Sequence, residues 1–358
     1  MAIVRNRERT LRGLSHQPTD RLLWDSIGSA HSGEVARLVE SLALPDDVCA
    51  HFREGDFAYL MFGTVEDRER FAAYLPGLPA EARVSEWGVG SRDLKTAEGH
   101  HAGHFDYRPL ANVDTVEGLA DFPFPDFTEP WQHADLEAKV AAAKAEGYVV
   151  VGQMSQTILE TAYLMRGMER LFADFYERPA YVYRLFAEIA ARRCFQARRF
   201  AEAGVDVLRL GDDIATQEGL IVGPRLYRVA IKPFHAAVIA AAREVAPALP
   251  VLYHSDGKLT GLLPDLIDVG VNAINPVQPE CMDTLETKRE FGRDLVLWGC
   301  CPVQSVYAFG TRADVESHVR LLRDVGAEGG LVVQFYNMIL TPTVKDNLRV
   351  FFEVFGEG

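Results

Sequence analysis

Two short runs carry most of the chemistry open to this chain. His254-Ser255-Asp256-Gly257 sets an imidazole and a carboxylate two residues apart, so on an extended strand both face one side. Neutral imidazole and carboxylate suit a divalent metal, and equally a general acid–base pair. Gly211-Asp212-Asp213 supplies two adjacent carboxylates for use as base, cation partner or metal ligand, with helix capping as the structural alternative. Glu160, Asp213, His254 and Asp256 are the expected catalytic groups. Gln153, Asp212, Asn275, Gln278, Gln334, Tyr336 and Asn337 are expected to bind substrate. Cys301 is the expected third metal donor beside His254 and Asp256, although a buried cysteine is more often a small hydrophobe. His100-His101-x-x-His104 has metal-like spacing, but it falls in an irregular stretch where solvated surface is the plainer reading. Arg166 to Glu169 reads as a turn-closing ion pair.

Most of these residues end or follow a short apolar run. Tyr148 to Gly152, Val205 to Leu210, Val251 to His254, Ala273 to Asn275, Leu295 to Gly299 and Leu331 to Phe335 read as buried strands. Helical patterns at 131–146, 157–176, 179–203, 224–246, 259–268, 283–291, 312–325 and 343–355 separate them. That alternation predicts a parallel sheet with helices outside. No dinucleotide glycine fingerprint occurs, which favours a (β/α)8 TIM barrel over a doubly wound sheet and predicts no nucleotide cofactor. The expectation is one domain over 1–358 with an N-terminal elaboration. That elaboration holds a short amphipathic helix over 1–20, a stretch from Pro18 to Trp24 leading into a short extended segment, a helix at 31–45, and loops and short strands at 64–110. In such a barrel the chemistry sits on the rim where strands end. Six successive polar strand ends predict a polar pocket there.

Composition bounds the rest. The 358 residues are 48% hydrophobic and 25% charged, which is ordinary globular usage and excludes disorder as the main state. Net charge is 37 − 51 = −14, which repels nucleic-acid backbones and anionic lipid, so neither is an expected partner. No apolar run approaches the ~20 residues of a membrane span, and Met1 to Arg9 holds no apolar signal core. A cytoplasmic location is the resulting expectation. The 5 cysteines are widely spaced and form no Cys-x-x-Cys pair, which argues against a disulfide framework or a zinc ribbon.

Further motifs follow in order: Pro109 to Asp126, Met165 to Glu169, Gly211 to Asp213, Pro233, His254 to Gly257, Gly270 to Gln278, Gly310-Thr311 and Pro342 to Asn347. Together they resemble the uroporphyrinogen decarboxylase superfamily over nearly the whole chain. The resemblance implies a (β/α)8 barrel, often a homodimer, with chemistry at its mouth on an acidic anion or linked to a corrinoid. True uroporphyrinogen decarboxylases carry an Arg-Gln-Ala-Gly-Arg-Tyr stretch that grips substrate carboxylates; here Trp24 to His31 stands in that place without an arginine. The other branch comprises zinc-dependent methyltransferases with a His-x-Cys pair and a later Cys. His254 matches that His, Asp256 stands at the first Cys, and Gln334 and Tyr336 occupy the last strand instead of Cys. The resulting expectation is a metal-assisted methyltransferase, zinc its metal. It would act between a small methylated compound and a corrinoid or thiol acceptor, with a corrinoid protein as partner. The alternatives are a metal-free decarboxylase of a tetrapyrrole or other carboxylated substrate, with Asp213 stabilising a cationic intermediate, and a non-catalytic binder of a tetrapyrrole or corrinoid protein.

Overall fold

Branched apolar residues in runs of four to six become strands here, and the charged stretches between them become helices. A computed structural model describes residues 6–25, 55–95, 101–336 and 341–355. In chain order the strands are β1 (Leu23–Trp24), β2 (Phe57–Leu60), β3 (Arg83–Val84), β4 (Gly90–Lys95), β5 (His101–Tyr107), β6 (Val149–Met154), β7 (Val207–Gly211), β8 (Val251–His254), β9 (Ala273–Val277), β10 (Val296–Cys300) and β11 (Leu331–Gln334). Eight of these pair in parallel in the order β1-β11-β10-β9-β8-β7-β6-β2. The two ends of that sheet meet. Asp56 N–H donates to Trp24 O at 2.7 Å, and Trp24 N–H donates to the Asp56 carboxylate at 2.9 Å. The result is a nearly closed barrel with helices outside, as the sequence predicts. β3, β4 and β5 form a separate antiparallel sheet within the 64–110 elaboration. β5 carries His101 and His104, whereas His100 and the predicted 31–45 helix lie outside the described residues.

Most helices match their sequence patterns, among them Pro179–Ala203, Thr284–Phe291, Arg312–Gly326 and Pro342–Phe355. Three do not run through. The 131–146 pattern is a 3-10 turn at Pro130–Gln132 and a separate helix at Leu136–Ala145. The 157–176 pattern breaks at Gly167, whose φ of 96° ends Leu159–Arg166 before Met168–Glu177 begins. The 224–246 pattern contains a π-type turn at Tyr227–Ile231, a wider turn that this face uses to bring Tyr227 against His235. Arg166, read as a turn-closing residue, is a buried clamp. It donates to Asp174, Asp114 and the carbonyls of Leu110 and Val113, which ties the 108–114 segment to the barrel.

Each strand alternates its side chains between two cores. One face packs outward on the helices, with Val150, Leu208, Tyr253, Ile274, Leu297 and Val333 among the contacts. The other faces the bore, whose lower layer is Leu23, Phe57, Val149, Val151, Val207, Leu252, Ala273, Val296, Trp298 and Val332. Leu11 and Leu14 of the helix Arg7–Leu14 close the bottom. The bore is therefore a packed core below, and its polar residues lie toward the C-terminal ends of the strands, where barrels of this kind carry their chemistry.

Candidate active site

Above the apolar layer the bore turns polar. The next bore-facing residue of each strand, or the one just past its end, is Asp25, Tyr59, Gln153, Arg209, His254, Asn275 or Gln334, and Trp298 of β10 reaches up into this layer. These side chains are wired together. His254 Nδ1 donates to Asn275 Oδ1 at 2.7 Å, Asn275 Nδ2 to Gln334 Oε1 at 2.6 Å, and Gln334 Nε2 to Asp25 Oδ2 at 2.7 Å. Trp298 Nε1 and the Tyr59 hydroxyl donate to the same Asp25 oxygen. The direction of this chain fixes the imidazole tautomer: Nδ1 carries the proton and Nε2 keeps its lone pair. Burial, and then the charge of Arg209, push His254 down to about 3, so it is neutral throughout the physiological range. Burial lifts Asp25 to about 7 against the pull of its Tyr59 and Trp298 donors.

The rim above is acidic. Glu160 stands on the first turn of Leu159–Arg166, and its Oε2 faces the Asp213 N–H at 3.5 Å. Asp213 Oδ1 accepts from the Asp256 N–H at 2.9 Å, which joins the β7 and β8 loops. Gly257 makes the following turn with φ of 90°, where a Cβ would meet Thr216 O at 2.6 Å. No side chain caps the helical turn that follows, so Asp256 is not spent as a helix cap. Burial, then Asp213, then Asp212 raise Glu160 to about 8. Burial also raises Asp213. The rim thus holds a carboxyl, Glu160, that is protonated at neutral pH.

Asp212 has a different place. It is fully buried and accepts from the backbone of Ile158 and Glu160 and from His235 Nε2 at 2.7 Å. Its oxygens cap the helix that carries Glu160, so it positions the site and does not face substrate. Gln278 is likewise buried, its Oε1 accepting from the Gly257 N–H at 2.6 Å. Tyr336 lies on the opposite wall, where its hydroxyl approaches Glu280 Oε2 at 3.4 Å. Asn337 lies outside the described residues. Gln153, Asn275 and Gln334 form the floor with His254.

The expected zinc set does not assemble. Among the described residues no three of His, Cys, Asp and Glu converge to hold a metal ion. Cys301 is fully buried, and burial pushes its thiol well up, away from the thiolate that zinc requires. Among the described residues, the groups of this mouth open to chemistry are its acids, its imidazole and Arg209.

The profile of the family described as Uroporphyrinogen decarboxylase (URO-D) matches residues 108–357. The chain belongs to the uroporphyrinogen decarboxylase family. Two curated relatives bear the name uroporphyrinogen decarboxylase, from Crocosphaera subtropica and a Synechocystis species. They are 22% and 21% identical over 178 residues, which is 50% of this chain and 48% of each relative. The chain thus spans about half the length of the curated relatives it matches. A methyltransferase from Methanosarcina mazei superposes over 98% of both chains with a TM-score of 0.61 at 13% identity, a likeness of fold. No helix among the described residues of this URO-D family member is long and apolar enough to cross a membrane.

Three floor residues escape a reading of the sequence: Asp25, Tyr59 and Arg209. Arg209 had a signal, because a lone arginine inside the apolar run Val207–Gly211 has to point into the bore or break the core. Asp25 follows a two-residue strand and Tyr59 lies in a strand without a marked pattern, so neither stood out.

Proposed function

We propose that this URO-D family member is a methyltransferase that takes a methyl group from a small methylated compound and passes it to a corrinoid or thiol acceptor. The observation that carries the reading is Glu160, a carboxyl raised to about 8 at the rim above a neutral imidazole. Methyl transfer from an ether needs a proton on the departing oxygen. In the step proposed, the C–O bond breaks and its electron pair stays on oxygen, which takes the Glu160 proton. The methyl carbon bonds to an electron pair of the acceptor, and Glu160 regains a proton from solvent. His254 offers its Nε2 lone pair to a substrate donor and turns it toward Glu160.

The acidic rim also bears on the decarboxylase reading. Glu160, Asp213, Asp256 and Glu280 surround a mouth whose floor holds one arginine, a poor host for a tetrapyrrole with many carboxylates. A smaller carboxylated substrate remains the second reading, because Glu160 could equally protonate the carbon that a departing carboxylate leaves behind.

The test is an anaerobic assay with a panel of small methyl ethers and cob(I)alamin as acceptor, read by the absorbance of the methylated product. Uroporphyrinogen is assayed in parallel. Methyl transfer without coproporphyrinogen formation is expected. Coproporphyrinogen at an ordinary enzymatic rate, with no methylated acceptor, would replace the proposal with the decarboxylase.

A further inference from the structure

Among the described residues three arginines are buried: Arg166, Arg193 and Arg209, at 1%, 4% and 7% exposure. The first two are saturated. Arg166 holds two carboxylates and two carbonyls. Arg193 donates to the carbonyls of Ser155, Gln156 and Thr157 and to Gln196 Oε1. Arg209 is the exception. Like Arg193 it has no ion pair among the described residues, but there it gives a single N–H, to Gln153 Oε1 at 3.0 Å, and lies 5.8 Å from the Tyr59 ring centroid.

The acids that could have paired with it are turned elsewhere. Asp25 feels its charge, yet Oδ2 of Asp25 is spent on Tyr59, Trp298 and Gln334, and Oδ1, buried without a hydrogen-bond partner, makes no ion pair with Arg209. Asp213 also feels it, but Asp213 Oδ1 receives the Asp256 N–H. Gln153, meanwhile, is held from behind. Its Nε2 donates to Ser155 Oγ at 3.0 Å, which leaves Oε1 to fix Arg209 in place. A guanidinium cannot shed its charge by deprotonation, and burying it without a counter-ion is costly. A positioned guanidinium on the floor of the polar layer, without an ion pair among the described residues, is a ready seat for an oxyanion, most favourably a carboxylate gripped through two N–H groups.

We infer that Arg209 seats the carboxylate of a small organic acid, with the reacting end of that acid directed up toward Glu160. The inference rests on the proposal that this mouth is the catalytic one. Size follows from the strand. Arg209 lies two residues before the end of β7 at Gly211, about 7 Å of extended chain, and Glu160 stands on the rim beyond that end. An acid anchored on Arg209 that reaches Glu160 has the span of one ring with a short substituent.

The experiment is a titration of the full chain with benzoate and with benzamide, which match in shape and differ in charge, followed by calorimetry. The unsubstituted protein is expected to prefer benzoate by about tenfold or more. Arg209→Met is expected to bring that preference to about one, and Arg209→Lys to keep part of it. Melting temperatures are recorded for all three, and Arg209→Met is expected to hold or gain, since it removes an unpaired buried charge. Should Arg209→Met fail to fold, the unsubstituted protein and Arg209→Lys decide alone. Equal binding of benzoate and benzamide by the unsubstituted protein overturns the seat, as does an undiminished preference in either variant. Charge preference without methyl transfer in any assay would sink the methyltransferase reading and leave the seat standing. Methyl transfer without charge preference would do the reverse.

Discussion

The lower and upper halves of the bore are built by the same eight strands, one bore-facing residue apart, and they do opposite work. Below lie Val151, Val207, Leu252, Ala273 and Val332; two residues further along the same strands come Gln153, Arg209, His254, Asn275 and Gln334. The lower layer is dry and interchangeable, stabilised by area removed from water. In the upper layer each polar group is directed by its neighbour, and the direction determines where lone pairs and charges face. Stability and chemistry are therefore separated by one pleat, and substitutions one pleat apart should have effects of different kinds.

The largest expected effect is in the upper layer. His254→Ala removes the lone pair facing the mouth and the end of the Asn275–Gln334–Asp25 chain. Turnover in the methyl-transfer assay should fall by about 10²–10⁴-fold. The melting temperature should change little, because the ring is half-buried and carries one hydrogen bond. Full turnover, or a collapse of the fold, would erase the distinction between the layers.

Two residues earlier, Leu252→Ala tests the other half. Leu252 is fully buried in the apolar layer, and its truncation should cost about 2–5 kcal/mol by chemical denaturation. The rate per folded molecule should hold. A rate loss comparable to that of His254→Ala would mean that the lower layer also tunes the site.

The two layers were unequally legible. The apolar half could be read because its residues create the strand pattern itself: Val149 to Val151, Val251-Leu252 and Leu331 to Val333 are periodic enough to locate six strands and so the barrel. The polar strand ends His254, Asn275 and Gln334 could be read because a polar residue closing an apolar run needs a reason. Their wiring could not, since it joins residues up to 309 positions apart, as in the Gln334–Asp25 bond. Asp212 and Asp213 show the limit most sharply. They are adjacent and identical in type, yet one caps a helix on another element and the other faces the rim. Only the direction of the chain beyond Gly211 separates them, and sequence spacing does not encode that direction. Cys301 shows the same limit: it follows Cys300, whose φ of 60° turns the chain, and its thiol ends in the core.

The smallest effect concerns the acid at the boundary with solvent. Glu160 is raised to about 8, by burial first and by Asp213 and Asp212 next. As the acid in methyl transfer it works protonated, so activity should be flat at lower pH and decline as pH rises through about 8. Stability carries the same sign. A carboxyl whose folded pKa exceeds its unfolded value binds more protons when folded, so its contribution is present below the unfolded pKa and is lost as pH rises through the folded one. Glu160→Gln mimics the neutral form at every pH. The variant should therefore gain on the unsubstituted protein as pH rises from 5 to 8 and change little beyond. Denaturation of both proteins across that window measures the difference. A constant difference would mean that Glu160 is ionised in the folded state at neutral pH. The rim would then be a ring of ordinary carboxylates, and the proton for the departing oxygen would have to come from another group.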